Sequence, residues 1–185
     1  AINALGVDLL HQTGRAKENV SLSPYSIETA LAMTYAGADG KTREEMARVL
    51  HLPTDDVQVA NAFGVLQMQI DELFSSSAKT SAPMTLNVAN RLFGQKGYDF
   101  RPTFLDLLKT QYHAPFEAMD FRNNASRATS TINDWVAKQT KQRIKDLIPA
   151  GALNDLTRLG RVNAVYLKVT WAEPFKEADS KPLPF

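Results

Sequence analysis

His11, His51 and His113 are the first residues to weigh for acid–base or metal chemistry, and none of them stands in a metal-ligand spacing with another. Cysteine is absent, which excludes disulfides, thiolate metal sites and cysteine nucleophiles and leaves the compartment open. No Gly-x-Ser-x-Gly elbow presents a serine nucleophile. Gly37-Ala-Asp-Gly-Lys-Thr42 ends like a phosphate loop, but the pattern requires glycine at position 35, which is Tyr35; a helix stop followed by a helix cap accounts for the stretch. The pairs Glu44–Glu45 and Asp55–Asp56 sit at expected helix starts, where carboxylates oppose the positive end of the dipole. Asn19-Val-Ser21 and Asn124-Ala-Ser126 are formal glycosylation sequons, a pattern short enough to arise by chance, and the first falls in an expected half-buried strand. The residues therefore present no active site, no metal site and no cofactor site, and the expectation is a protein that is not an enzyme.

One polar residue stands out instead. Arg161 to Phe175 is rich in β-branched and aromatic types, with Asn163, Val165, Leu167, Val169 and Trp171 on one face and Val162, Ala164, Tyr166, Lys168 and Thr170 on the other. Two mostly apolar faces predict an interior strand covered front and back, ended by Pro174. Asn163 places an amide inside that run, where it needs hydrogen-bond partners. The strand comes last in the sequence, which leaves one side of its sheet without a neighbour and points to a chain that is part of something larger.

The elements that must position this strand follow from periodicity and caps. An amphipathic helix is expected over 2–13, with Ile2, Leu5, Leu9 and Leu10 inward, ending near Gly14. Asn19 to Ser23 reads as a short strand, and Ser23-Pro24 as the cap and first residue of a helix apolar on nearly every side. Thr42 with Glu45 forms a capping-box pattern for a helix to Leu50. A longer helix spans about Asp55 to Ser75, followed by a small polar loop to Pro83. Then come a strand over Thr85 to Gly94, a helix from Pro102, a strand over Ala114 to Phe121, and a helix over Ser126 to Ile148 with Ile132, Trp135, Val136, Thr140 and Ile144 inward. The reading is α+β: one domain over residues 1–185, many helices around a sheet, incomplete.

Composition adds limits. The formal net charge of +1 gives no global reason to expect nucleic acid or membrane surface, and no apolar run approaches a membrane span. Residues 122–145 are locally basic and 54–77 locally acidic, as solvated helix faces commonly are. Ala1 to Leu10 lacks a basic start and is no signal peptide; it could be a mature end, and a secreted, extracellular or periplasmic location is the expectation.

Four stretches in order resemble one family. Asn19-Val-Ser-Leu-Ser-Pro-Tyr-Ser-Ile, with Ala30-Leu-Ala-Met-Thr-Tyr-Ala-Gly-Ala and Lys41-Thr-Arg-Glu-Glu-Met, resembles the N-terminal signature of the serpins. Asn87-Val-Ala-Asn-Arg-Leu-Phe resembles that family's second long strand. Ile132-Asn-Asp-Trp-Val, Thr140 and Ile144-Lys-Asp-Leu-Ile resemble the helix across the front of its main sheet, and Val162-Asn-Ala-Val-Tyr-Leu-Lys with Thr170-Trp-Ala-Glu-Pro-Phe resembles its third strand. The resemblance implies a serpin-like fold built around a large mixed sheet, of which this is the N-terminal half. It implies a suicide-substrate inhibitor of serine, or cysteine, proteases, whose cleaved reactive loop inserts beside Arg161–Trp171. The alternative is a non-inhibitory serpin acting as chaperone, storage or carrier protein. By the same resemblance Ser23, Ser26 and Asn163 match the shutter beneath the point where the sheet parts, Trp171 matches the breach where insertion begins, and Asn133 and Trp135 lie on the helix that insertion passes beneath.

The implied partners are a target protease and a C-terminal serpin portion completing the fold; the reactive site falls outside this chain. Heparin-type activation through the helix over 55–75 is not expected, because that helix has no basic residue. One departure stands: Lys168-Val169-Thr170-Trp171 occupies the place of a usual Lys-Gly-x-Trp, and the stiffer valine replaces glycine near the breach.

Overall fold

The computed structural model describes residues 1–14, 19–53, 55–77, 84–179 and 181. The described elements run α1 (Ile2–Thr13), α2 (Pro24–Tyr35), α3 (Gly40–Val49), α4 (Asp56–Ser77), β1 (Thr85–Gln95), α5 (Pro102–Gln111), β2 (Phe116–Met119), α6 (Phe121–Gln139), β3 (Leu159–Lys168) and a 3-10 turn over Glu177–Asp179. The three strands form one mixed sheet in the order β2-β1-β3, with β1 parallel to β2 and antiparallel to β3.

The helices cover both faces of that sheet. Behind it, Ala32, Met33 and Tyr35 of α2 pack with Val59 and Phe63 of α4, Leu108 and Tyr112 at the end of α5, and Leu92 of β1. In front, Phe121, Ala128, Ile132 and Val136 of α6 lie on Ala89, Phe93, Val162 and Ala164. The expected buried character of α2 is observed, and Pro24 stands at its first turn. Close approach fixes two glycines: a Cβ on Gly6 would meet Pro24 at 2.7 Å, and one on Gly94 would overlap the Phe116 and Phe100 rings.

Several boundaries depart from the sequence reading. Asn19 to Ser23 forms no strand. Ser23 occupies the α2 N-cap position, but its side chain makes no cap hydrogen bond. The α3 cap is Asp39, whose carboxylate accepts the Gly40 N–H at 2.8 Å, and not Thr42; Glu45 instead approaches Lys41 at 4.0 Å. Asp55 accepts the N–H groups of Val57 and Gln58 at 3.0 and 3.1 Å, an anionic cap on α4. The loop expected to Pro83 lies, after Ser77, outside the described residues. On α1 only Leu5 is buried, and Leu10 is exposed.

The larger corrections concern α6 and β3. α6 starts five residues before Ser126, with Asp120 accepting the Asn123 N–H at 3.1 Å, and it bends at Asn124. It ends at Gln139, nine residues short of Ile148, because Lys141 and Gln142 turn to positive φ; Ile144 is exposed rather than inward. β3 stops at Lys168, so Val169, Thr170 and Trp171 lie outside the ladder and Pro174 does not terminate it. Among the described residues β3 is also an edge strand, with β1 alone beside it, and β1 is the interior one.

Candidate functional site

The polar seam under the sheet is built from three elements. Pairing of β1 with β3 puts Asn90 directly opposite Asn163. The first turn of α2, begun by Pro24, carries Ser26 up against the same point. Ser26 donates its hydroxyl hydrogen to Asn163 Oδ1, and Asn163 Nδ2 donates to Asn90 Oδ1 at 2.6 Å. Ser26 and Asn90 are buried and Asn163 half-buried, so each bond lies away from bulk water, where an unmade one is costly. Ser23 is half-buried on the same approach and takes no part in this chain of bonds. The neighbouring Tyr25 hydroxyl donates to Gln67 Oε1 at 2.6 Å, and Gln67 donates to Asp71 at 2.8 Å, which ties this turn of α2 to α4.

Asn90 was missing from the sequence reading. Its signal was present, an amide on the otherwise apolar face of Leu86, Val88 and Leu92, but only the strand register pairs it with Asn163.

On the opposite face, α6 is held to the sheet by its second half. Asn133 Nδ2 donates to the Ile148 carbonyl and its Oδ1 accepts the Ile148 N–H, both at 2.9 Å, which closes the segment after the helix back onto it. Asn87 of β1 donates to the Gln139 carbonyl at 3.2 Å. Trp135 meets Phe93 edge to face at 5.8 Å, and the Arg91 guanidinium lies 4.9 Å from the Trp135 ring while pairing with Glu117 at 2.7 Å. Polar bonds and stacked rings, rather than interlocked aliphatics alone, seat this helix. Trp171 stands apart from all of these: it is 69 % exposed and packs edge-on against Phe175 at 5.5 Å.

Among the described residues no cluster of three or more His, Asp or Glu side chains could hold a metal ion, and no helix is long and apolar enough to cross a membrane. Among the described residues the geometry provides a strand edge free on one side, with the Ser26–Asn163–Asn90 bonds on one face and α6 on the other.

The family model for serpins, serine protease inhibitors, matches residues 1–185. An uncharacterized serpin-like protein of Thermococcus kodakarensis is 42 % identical over 181 residues, covering 98 % of this chain and 41 % of that protein. A leukocyte elastase inhibitor of Xenopus tropicalis is 42 % identical over 170 residues, covering 92 % of this chain and 43 % of that protein. A solved Arabidopsis serpin, described as being in its native stressed conformation, superposes with a TM-score of 0.79 at 27 % identity over 96 % of this chain and 44 % of that one. The chain spans less than half the length of these curated relatives. With the mixed sheet, its helices on both faces and the match along its whole length, the chain belongs to the serpin family and corresponds to the N-terminal portion of a serpin.

Proposed function

We propose that the whole protein is a suicide-substrate inhibitor of serine proteases, cysteine proteases being the less favoured targets, and that it acts by shape change and not as an enzyme. The protease's nucleophile attacks a carbonyl of a reactive loop carried outside this chain, forming a covalent acyl bond as the amine side of the peptide departs. The acylated loop then adds to the sheet as a strand beside β3, and the new ladder of hydrogen bonds and buried apolar area supplies the free energy that distorts the captured protease. The observation that carries this reading is the β3 edge, free among the described residues, lying over the Ser26–Asn163–Asn90 bonds. Ser26, Asn163 and Asn90 act as the shutter, with Ser23 beside them, re-pairing as the strands part; α6, through Asn133 and Trp135, is the element beneath which the loop passes. Trp171 marks the breach end. Relatives named as elastase inhibitors support the inhibitory class.

The test is incubation of the complete protein with stoichiometric serine proteases. A complex that survives boiling in detergent is expected. Cleavage by every protease tried with no such complex would sink the reading in favour of a storage, chaperone or carrier role. Secretion remains part of the proposal, and fractionation of producing cells decides it.

A further inference from the structure

A second unusual polar group lies on α2, two residues after Ser26. Glu28 on α2 is 0 % exposed, and neither carboxylate oxygen has a hydrogen-bond partner. It lies in the lining of a cavity of about 610 Å³ between the start of α1, the connection after α3, and α4. Such a volume is in the range that accepts a small ligand. Ile2, Leu52, Val59, Phe63 and Leu66 give the cavity apolar walls; among the described residues Glu28 is its one ionisable side chain, and Ala1 also lines it.

A buried carboxylate without a donor is tolerated in two ways: it holds a proton, or a cation pairs with it. Burial pushes Glu28 above its ordinary value of 4.5, while the chain's amino end on α1 and His51 act weakly in the other direction. His51 is itself engaged with Asp8 at 2.7 Å, and among the described side chains of α4 the lining includes Gln58, Val59, Ala62, Phe63 and Leu66, none of them titratable. The cavity thus pairs an apolar body with one deep acceptor left unserved.

We propose that this cavity is a binding site for small aliphatic amines, with the hydrocarbon stem against Leu52, Phe63 and Leu66 and the ammonium group donating to the Glu28 carboxylate. Binding favours the ionised carboxylate over the protonated form that burial favours. Affinity therefore rises with pH as Glu28 ionises, and falls again when the amine loses its own proton at about pH 10.

The experiment titrates n-pentylamine, n-pentanol and pentanoate into the complete protein by calorimetry between pH 5 and 9. Saturable amine binding that tightens with pH is expected, with pentanol weaker and flat and pentanoate absent. Glu28→Gln should weaken the amine by about tenfold or more and abolish its pH dependence. Ala62→Leu, at the exposed mouth, should block amine and alcohol alike while leaving the Glu28 environment in place. Equal amine affinity in Glu28→Gln, pentanoate binding as tight as the amine, or no saturable binding in the unaltered protein would each overturn the proposal. The inference is independent of protease inhibition, which the covalent-complex assay reads separately.

Discussion

Asn163 accepts from Ser26 and donates to Asn90, so removing its amide strands two buried groups at once. Each orphaned partner costs about 1–3 kcal/mol, and the two losses are not independent of Asn90. Asn163→Ala is expected to destabilise the sheet by that order and to promote spontaneous opening or polymerisation of the complete protein. Asn90→Ala should do nearly the same, and the double variant should cost less than the sum of the two. Additive effects, or a monomeric protein of unchanged heat stability, would remove both residues from the shutter. Glu28 yields a different signature. Its folded-state pKa is raised, so the folded protein holds the proton more tightly than the unfolded chain does. This group's contribution is most favourable below its ordinary 4.5 and declines as pH rises towards the folded value. Denaturant titrations at pH 4.5 and 7.5 should show that decline, and Glu28→Gln should remove it. The same pH dependence in both proteins would assign the effect to other groups.

At the scale of elements, α6 depends on a clamp that lies outside its own helical bonds. Asn133→Ala leaves the Ile148 N–H and carbonyl without their partners, at a cost of about 1–3 kcal/mol. Amide exchange at Ile148 and across the second half of α6 should accelerate, while α2 exchange stays unchanged; uniform acceleration would mean global destabilisation instead. The same helix shows what the sequence could reveal. Its apolar spacing through Ile132 and Val136 was readable, but the spacing continues through Ile144 and Ile148 after the helix has ended. Thr140 ends it, its hydroxyl donating to the Val136 carbonyl and accepting the Ile144 N–H, and the positive-φ pair Lys141–Gln142 carries no glycine to announce the turn. β3 fails similarly. Val169, Thr170 and Trp171 are good strand formers, but the ladder's last pair sets Lys168 against Thr85, and among the described residues no strand pairs with them. Ser23 was a reasonable cap by type; Asp39 was overlooked because Thr42 and Glu45 offered a cleaner pattern. α2 was legible because its residues are apolar on nearly every side, which left no competing period.

At the scale of the whole molecule, the sheet has two edges among the described residues, the four-residue β2 on one side and the ten-residue β3 on the other. Family membership was legible from four short stretches because they fall on the elements that define this sheet, whereas the partner of β3 lies in no residue of the chain that is described. An edge strand of ten residues presents unpaired N–H and carbonyl groups, and natural edges are usually blunted by charge, proline or a bulge. Here the far end has exposed Leu167, followed beyond the strand by exposed Val169, Trp171 and Phe175, with Lys168, Glu173 and Pro174 interspersed among them. Residues 1–185 produced alone should therefore self-associate through β3, seen as concentration-dependent growth in light scattering at micromolar protein. Leu167→Lys places a second charge next to Lys168 at the free edge and should shift the chain towards monomer while the α2 core stays folded. A peptide able to pair with β3 as a strand should compete with the association in the same assay. If the unaltered chain stays monomeric at high concentration, the β3 edge is covered or too irregular to pair, and a loop would have no ladder there to extend.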